Sequence, residues 1–201
     1  MLRKVDKNEK KRAIALAAIP LLAEFGLAKT SVEAIAKEAN IAKGTVYLYF
    51  KTKEEIVLEI WQYVNELLNK SRTESFKNSF TCSGKISQYF NFSILEKEHS
   101  MDILLKLLAM NMSTILSFSH KNLVKYFKEE KRREIDTLEK ILREGINNRE
   151  FKIVDIGLTA SLFANSFHGA LLNSIAIDKN IDEIRAIIHP QIDFLIESIK
   201  S

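Results

Sequence analysis

The chain has 201 residues, of which 46% are hydrophobic, enough to bury a sizeable core and too many for a disordered regulator. The net charge of +4 is uneven, because residues 1–53 carry 11 Lys or Arg against 5 Asp or Glu. With a single cysteine, Cys82, an intramolecular disulfide is excluded; redox sensing by the thiol is conceivable, but a passive free thiol is the better interpretation.

The scarcity of Gly (6) and Pro (2), together with apolar residues recurring every three or four positions, predicts an all-α protein. The first helix is predicted from about Asn8 to Phe25, ending at Gly26. Pro20 lies inside it and predicts a bend or an irregular turn between Leu16 and Pro20. The basic residues from Arg3 to Arg12 are expected to attract phosphates.

The segment from Thr30 to Phe50 predicts two short helices joined by a tight turn. Thr30 and Glu33 form the pattern of a capping box, so a helix is expected to begin near Ser31. Asn40 tolerates the left-handed conformation that a sharp exit from a helix requires. The second helix is predicted at Lys43–Leu48, with Val46 and Phe50 facing inward.

The outward residues of the second helix suit a DNA groove. Lys43 neutralises phosphate or donates to a base edge, and Gly44 has no side chain to hold the helix away from the DNA. Thr45 offers a hydroxyl and a methyl group to the bases, and the hydroxyls of Tyr47 and Tyr49 are expected to reach oxygens of the DNA backbone. A second capping-box pattern at Thr52 and Glu55 predicts a helix that starts at Lys53 with its positive end toward a phosphate.

The run from Ile35 to Ile56, IAKEANIAKGTVYLYFKTKEEI, resembles the DNA-binding segment of the TetR (tetracycline-repressor) family of bacterial transcription regulators. Two positions depart from that family: Asn40 stands where Gly is usual, and Ala42 where Ser often caps the recognition helix, a loss of about 1 kcal/mol. The alternative interpretation is a helix-turn-helix that serves only packing, with half-buried tyrosines. Carried over by position, the resemblance implies DNA contacts from Thr30, Ser31, Lys43, Gly44, Thr45, Tyr47, Tyr49 and Lys53.

Further helices are predicted along the rest of the chain. The helix from Lys53 is expected to run to near Arg72, and the Ser-, Asn- and Thr-rich stretch Thr73–Gly84 is interpreted as a connection. The charged run KEEKRRE at Lys128–Glu134 is interpreted as a solvated face rather than a second basic patch. The remaining helices are predicted at Lys85–Glu98, Ser100–Ser119, Lys121–Asn147, Ile156–Ala176 and Asp182–Lys200.

The last two predicted helices carry wide apolar stripes, which ordinary core packing explains in part. The family resemblance implies that they pair with their copies in a homodimer as a four-helix bundle. Such a dimer places two recognition helices roughly 34–36 Å apart and predicts an inverted-repeat operator. The stripes consist of Ala160, Phe163, Ser166, Phe167, Ala170, Leu171 and Ser174, and of Ile184, Ile187, Ile188, Ile192, Leu195, Ile196 and Ile199.

No catalytic or metal-binding spacing is found, so neither an enzyme nor a cofactor is expected. A small-molecule cavity among the middle helices is implied mainly by the resemblance, and the alternative is a plain core with satisfied polar residues. The candidate ligand-binding residues are Trp61, Phe90, Leu108, Asn111, Met112, Phe163, Phe167 and His168.

The sequence therefore predicts an N-terminal three-helix head with a helix-turn-helix (1–53), followed by a larger helical domain for effector binding and dimerisation (54–201). The expected function is a ligand-responsive repressor, released from a double-stranded palindromic operator by a small-molecule effector. The alternative is a helical carrier whose head is only structural. Without a signal peptide or a long apolar run, no membrane partner is expected, and the expected location is the cytoplasm.

Overall fold

The computed structural model describes residues 7–91, 121–177 and 179–201. These residues form helices joined by turns, with one isolated antiparallel bridge between Phe151 and Lys200, so the all-α prediction is confirmed. The helices in the described ranges are α1 (Lys7–Ala17), α2 (Ile19–Lys29), α3 (Val32–Glu38), α4 (Lys43–Tyr47), α5 (Lys53–Lys77), α6 (Cys82–Tyr89), α7 (Lys121–Asn147), α8 (Ile156–Ala176) and α9 (Ile181–Ile199).

The chain divides into two compact units. Among the described residues, the first unit contains 7–67 and 121–124, and the second contains 68–91 and the rest from 125 onward. In the first unit α1 packs on α2 and α3, and α3 packs on α4; in the second, α8 and α6 pack on α9. The functional boundary predicted at 53/54 stays a prediction.

The predicted first helix is two helices in the structure. The chain breaks at Ala18, and Pro20 lies in the first turn of α2, where its missing N–H costs no helical hydrogen bond. The expected irregular turn is thus confirmed, whereas a continuous Asn8–Phe25 helix is wrong. Phe25, the last residue of that predicted helix, is exposed.

Gly26 ends the regular part of α2, as predicted, with a φ of 73° that glycine adopts more readily than other residues. The next three residues turn tightly before α3. The carbonyl of Gly26 accepts hydrogen bonds from the backbone N–H and the hydroxyl of Thr30, at 3.2 Å and 2.7 Å.

Several later bounds agree with the sequence predictions. Those of α7 and α8 are confirmed, and α9 differs from its prediction by one residue at each end. Two expectations are wrong: α5 continues to Lys77, and α6 begins at Cys82 rather than Lys85, so the connection spans only four residues. The end of the predicted Lys85–Glu98 helix and the whole Ser100–Ser119 helix lie outside the described residues.

The second unit is tied together around the turn after α7. The Glu150 carboxylate accepts the backbone N–H groups of Cys82 and Ser83, both at 2.7 Å, and so caps α6. The backbone of this turn also pairs with the end of α9, through Lys152 N–H to the Ile199 carbonyl at 2.8 Å. None of the helices within the described ranges has the length and apolarity needed to cross a bilayer.

Candidate DNA-binding site and ligand-binding cluster

Ser31 caps the first helix of the helix-turn-helix. Its hydroxyl accepts the backbone N–H of Ala34 at 3.1 Å, so the helix start near Ser31 is confirmed. The predicted capping box of Thr30 and Glu33 is wrong by one residue, because Thr30 is only 2% exposed and its hydroxyl donates to the Leu21 and Gly26 carbonyls. The Thr30 side chain is therefore withdrawn from any DNA surface in this conformation.

The turn between α3 and α4 has the geometry that the sequence predicts. Asn40 has a φ of 51°, and its N–H donates to the Lys37 carbonyl at 3.0 Å. The N–H of Ile41 donates to the Ala36 carbonyl at 2.9 Å. These two bonds make a Schellman motif, which ends α3 abruptly and directs the chain into α4.

One face of helix α4 is buried against the protein, and the opposite face is exposed to solvent. Val46 and Phe50 are buried, as predicted, whereas Lys43 and Gly44 are exposed and Tyr47 is 51% exposed. Thr45 and Tyr49 are half-buried. Ala42 precedes α4 without a side-chain cap, as expected from the missing Ser.

Lys43 pairs with Glu33 of α3 across the turn. The hydrogen bond to Lys43 lowers the pKa of the Glu33 carboxyl, and the same bond raises the pKa of Lys43. Both side chains are exposed, so the Lys43 ammonium remains accessible to a second anion such as a phosphate.

The start of α5 has a modified cap. The hydroxyl of Thr52 accepts the N–H of Glu55 at 3.4 Å, and the Glu55 carboxylate accepts the N–H of Lys51 at 2.7 Å, one residue earlier than in a standard capping box. Lys53 departs further from expectation, because its ammonium donates to the carbonyls of Leu27, Ala28 and Thr30. The Lys53 ammonium therefore contacts backbone carbonyls of its own chain.

Six of the eight sequence-predicted DNA-contact residues are exposed or half-buried and lie just before α3, on α4 or just after α4: Ser31, Lys43, Gly44, Thr45, Tyr47 and Tyr49. Thr30 and Lys53 are engaged internally. Leu48 and Lys51, which are exposed beside these residues, are not among the DNA contacts that the sequence predicts. Lys51 could have been found from its place in the same basic segment, but no signal in the sequence marks Leu48, whose spacing resembles that of a core residue.

Part of the predicted ligand site forms an aromatic cluster in the second unit. The Phe90 ring stacks on Phe163, with centroids 6.3 Å apart, and lies 5.0 Å from the Phe167 ring. Next to them the guanidinium of Arg72 lies 3.9 Å from the centroid of the Tyr89 ring and donates to the Tyr89 carbonyl. Burial raises the pKa of the Tyr89 hydroxyl to about 12, so this phenol stays neutral.

His168 lies at the edge of that cluster, with its ring against Phe167 and its Nε2 3.0 Å from the Glu134 carboxylate. Burial acts to raise the pKa of Glu134, but the hydrogen bond from His168 and the charge of Lys131 outweigh it and lower the pKa. In the KEEKRRE run Lys128, Glu129, Arg132 and Arg133 are exposed, as expected of a solvated face, but the Glu134 side chain is only 13% exposed.

The other candidate ligand residues lie in the first unit or outside the described residues. Trp61 is buried in the first unit, and Leu108, Asn111 and Met112 lie outside the described residues. Cys82 is buried, and this burial raises the pKa of its thiol to about 11, with Glu144 and Glu150 adding to the rise. A thiol that stays protonated is a poor redox sensor.

The apolar stripes predicted for dimerisation face mostly into the chain itself. Ile184, Ile188 and Phe163 are each almost fully buried. Different residues are exposed: Leu158 and Leu162 on α8 and Phe194 on α9, each more than half exposed. On the same faces follow small or polar exposed residues: Asn165, Gly169 and Asn173, and Gln191 and Ser198.

Comparison with known proteins agrees with this geometry. Residues 14–60 match the model of the bacterial regulatory proteins of the tetR family. The chain is 27% identical to the fatty acid metabolism regulator protein of Bacillus subtilis (strain 168), over 96% of this chain and 97% of that protein.

Solved structures extend the likeness beyond the head. The transcriptional regulator FadR from Bacillus subtilis, solved in complex with stearoyl-CoA, is 27% identical with a TM-score of 0.73, over 93% of this chain and 98% of that chain. A TetR regulator from Haloarcula marismortui shares the fold with a TM-score of 0.81 at 16% identity, over 96% and 99% of the two chains.

These similar proteins are transcription regulators and not enzymes, and a carrier with a purely structural head is not favoured. The segment that the family model matches contains a capped helix, a left-handed turn and the helix α4 with its exposed Lys43, Gly44 and Tyr47. Residues 14–60 form a DNA-binding domain of the TetR family, and the chain is a ligand-responsive DNA-binding repressor of transcription.

Proposed function

We propose that this repressor acts as a homodimer on an inverted-repeat operator, and that its effector is a long-chain fatty acyl-CoA. The observation that carries the DNA half is the Schellman turn at Asn40, which directs the exposed face of α4 away from the buried Val46 and Phe50. A regulator that binds chromosomal DNA would work in the cytoplasm.

The proposed DNA contacts follow from what is exposed. Lys43 and Tyr47 would reach phosphates or base edges from α4, and Gly44 would allow that helix to approach closely. Ser31 has a hydroxyl hydrogen left for a phosphate after accepting the Ala34 N–H. Thr45 and Tyr49 would add contacts at the edge of the same surface, whereas Thr30 and Lys53 have no part in it.

The exposed apolar residues of α8 and α9 support a homodimer. Leu158, Leu162 and Phe194 present large side chains to solvent, and burying them against the same residues of a second copy is favourable by about 25 cal/mol per Å². An isologous pairing of two helices from each subunit is a four-helix bundle, and the two-fold axis gives the operator its symmetry.

The proposed effector class comes from the similar proteins, one of which is named a fatty acid metabolism regulator and another of which holds stearoyl-CoA. The cluster of Phe90, Phe163 and Phe167 has the apolar character that an acyl chain requires. Effector binding is proposed to tilt α5 and change the separation of the two heads, so that both no longer fit successive major grooves. A tenfold preference for that arrangement corresponds to about 1.4 kcal/mol.

A titration of operator binding with three compounds tests the effector half. Stearoyl-CoA is expected to release the protein from its operator, whereas free stearate and free coenzyme A at the same concentration release it much less. Equal binding with and without stearoyl-CoA would contradict the proposed effector. The DNA half would be contradicted if the protein bound none of the inverted repeats in a pool of random duplexes at any salt concentration.

A further inference from the structure

We propose that Lys53 is a positioning residue that fastens the first turn of α5 to the corner between α2 and α3, and that it does not contact phosphate. This inference rests on the proposed DNA binding. It changes the role of a lysine for which the family resemblance of the sequence implies a DNA contact.

All three donors of the ammonium are used inside the chain. Lys53 Nζ lies 2.7 Å from the Leu27 carbonyl oxygen, 3.2 Å from that of Ala28 and 2.8 Å from that of Thr30. A lysine ammonium has three N–H bonds and no acceptor. A phosphate contact from this side chain would therefore require at least one of these bonds to break.

The three carbonyls belong to a part of the chain that needs a cation. Gly26 interrupts α2, and Leu27 and Ala28 lie in the tight turn that follows. The carbonyls at the end of a helix carry a partial negative charge and lack further helical donors. The ammonium supplies donors and positive charge to this end of α2 from a residue 26 positions later in the sequence.

The third acceptor connects this contact to the helix-turn-helix. Thr30 directly precedes Ser31, the cap of α3, and the Thr30 hydroxyl and N–H are bonded to α2. The backbone at Thr30 is therefore held from two sides, by α2 and by α5. A displacement of the first turn of α5 is transmitted to the start of α3 through this point.

Further along α5, other cations connect it to α1. Lys11 pairs with Glu59 at 2.6 Å and Arg12 with Glu66 at 2.6 Å, with the Arg12 guanidinium 4.8 Å from the Tyr63 ring centroid. These contacts join the helix before the helix-turn-helix to α5. Lys53 makes the corresponding contact nearest to the recognition element, so it sets the orientation of α3 and α4 relative to the start of α5.

The dependence of DNA affinity on salt separates the two roles of Lys53. Each lysine that neutralises a phosphate contributes about 0.9 to the slope of log affinity against log salt concentration. For Lys53→Met, with a duplex selected by the wild-type chain, we expect at least a threefold loss of affinity and an unchanged slope. Lys43→Met, at a proposed contact, is the comparison variant that lowers the slope, and Lys70→Met, an exposed lysine on α5, is the control for charge alone.

Amide hydrogen exchange adds a local readout that does not depend on DNA. Lys53→Met should speed exchange at the Thr30 and Ala34 amides, which are bonded to Gly26 and Ser31, and leave the amides of α8 unchanged. A uniform change over the whole chain would indicate a general loss of stability and would overturn the positioning role.

Lys53→Gln keeps the test decisive if the methionine variant folds poorly. Glutamine retains two donors without the charge, so a positioning role predicts an affinity between those of wild type and Lys53→Met, with the wild-type slope. A slope lowered by about one unit in either variant, or wild-type affinity in both, would overturn the proposal. A wild-type chain that binds no duplex would instead contradict the proposed function itself.

Discussion

At the scale of single residues, the positive charge of residues 1–53 is less available to DNA than its amount indicates. Lys11 and Arg12 are paired with carboxylates of α5, Lys53 with backbone carbonyls, and Lys43 with Glu33. Among these four cations, Lys43 is the one on the exposed face of α4. Attraction of phosphates by the head therefore depends on where each cation lies as well as on the summed charge.

Lys43→Ala should weaken operator binding and lower the salt slope by about 0.9, because one phosphate neutralisation is lost. Fluorescence anisotropy at several salt concentrations measures both quantities. Lys37→Ala, an exposed lysine at the end of α3, is the matched control. Wild-type affinity and slope in Lys43→Ala would show that the recognition surface lies elsewhere.

Asn40→Ala should destabilise the protein by about 1 kcal/mol, because alanine adopts the left-handed conformation at greater cost than asparagine. Asn40→Gly should remain as stable as wild type or become slightly more stable, since glycine suits the observed φ of 51°. Urea denaturation measures both changes. Equal stability of the alanine and glycine variants would mean that the turn is not left-handed in solution.

At the scale of elements, the sequence predicts helices well where apolar periodicity and caps agree. The bounds of α8 follow from its Asp155 cap, whose carboxylate accepts the Leu158 N–H at 2.9 Å. The end of α5 is mispredicted because its Ser, Thr and Asn residues are typical of loops. In the structure the Thr73 hydroxyl donates to the Asn69 carbonyl at 2.8 Å, so this residue satisfies its polar group within the helix.

Most of the candidate DNA surface can also be predicted from local sequence patterns, and the errors of that prediction have physical causes. The turn and the inward residues of α4 follow from local spacing, which one sequence contains. The roles of Thr30 and Lys53 depend on contacts with Leu21 and Leu27, which lie 9 and 26 positions away. The spacing of residues in the sequence does not encode such contacts. The exposed faces of α8 and α9 are a separate case: the sequence does not predict them, because buried and exposed stripes of a helix have similar compositions.

For helix α4, Gly44→Ala should separate stability from function. A Cβ at this position meets nothing within 4 Å in the protein, and alanine favours a helix by up to about 1 kcal/mol over glycine. The variant should therefore be at least as stable as wild type in thermal denaturation but bind its operator about tenfold less tightly, a loss of about 1.4 kcal/mol. Unchanged affinity would mean that this face of α4 does not approach the DNA.

At the scale of the whole molecule, the proposed homodimer decides whether two heads can act together. Leu158→Glu and Phe194→Glu each place a charge on the proposed interface, where burying it without a partner is costly. Both variants should be monomeric in analytical ultracentrifugation and lose operator binding. The control is Phe80→Glu, because Phe80 is fully exposed in a turn outside α8 and α9; this variant should stay dimeric. If the Leu158→Glu and Phe194→Glu variants were dimeric, the interface would lie elsewhere.

The most direct test of DNA recognition by α4 is selection of binding sites from random duplex DNA by the purified protein. We expect enrichment of an inverted repeat with half-sites about one helical turn apart, bound with an affinity that falls steeply with salt. The Gly44→Ala protein, folded but altered on α4, should enrich the same sequence less strongly. Enrichment of no sequence by the wild-type protein in low salt, or equal enrichment of the same repeat by both proteins, would contradict recognition by this helix.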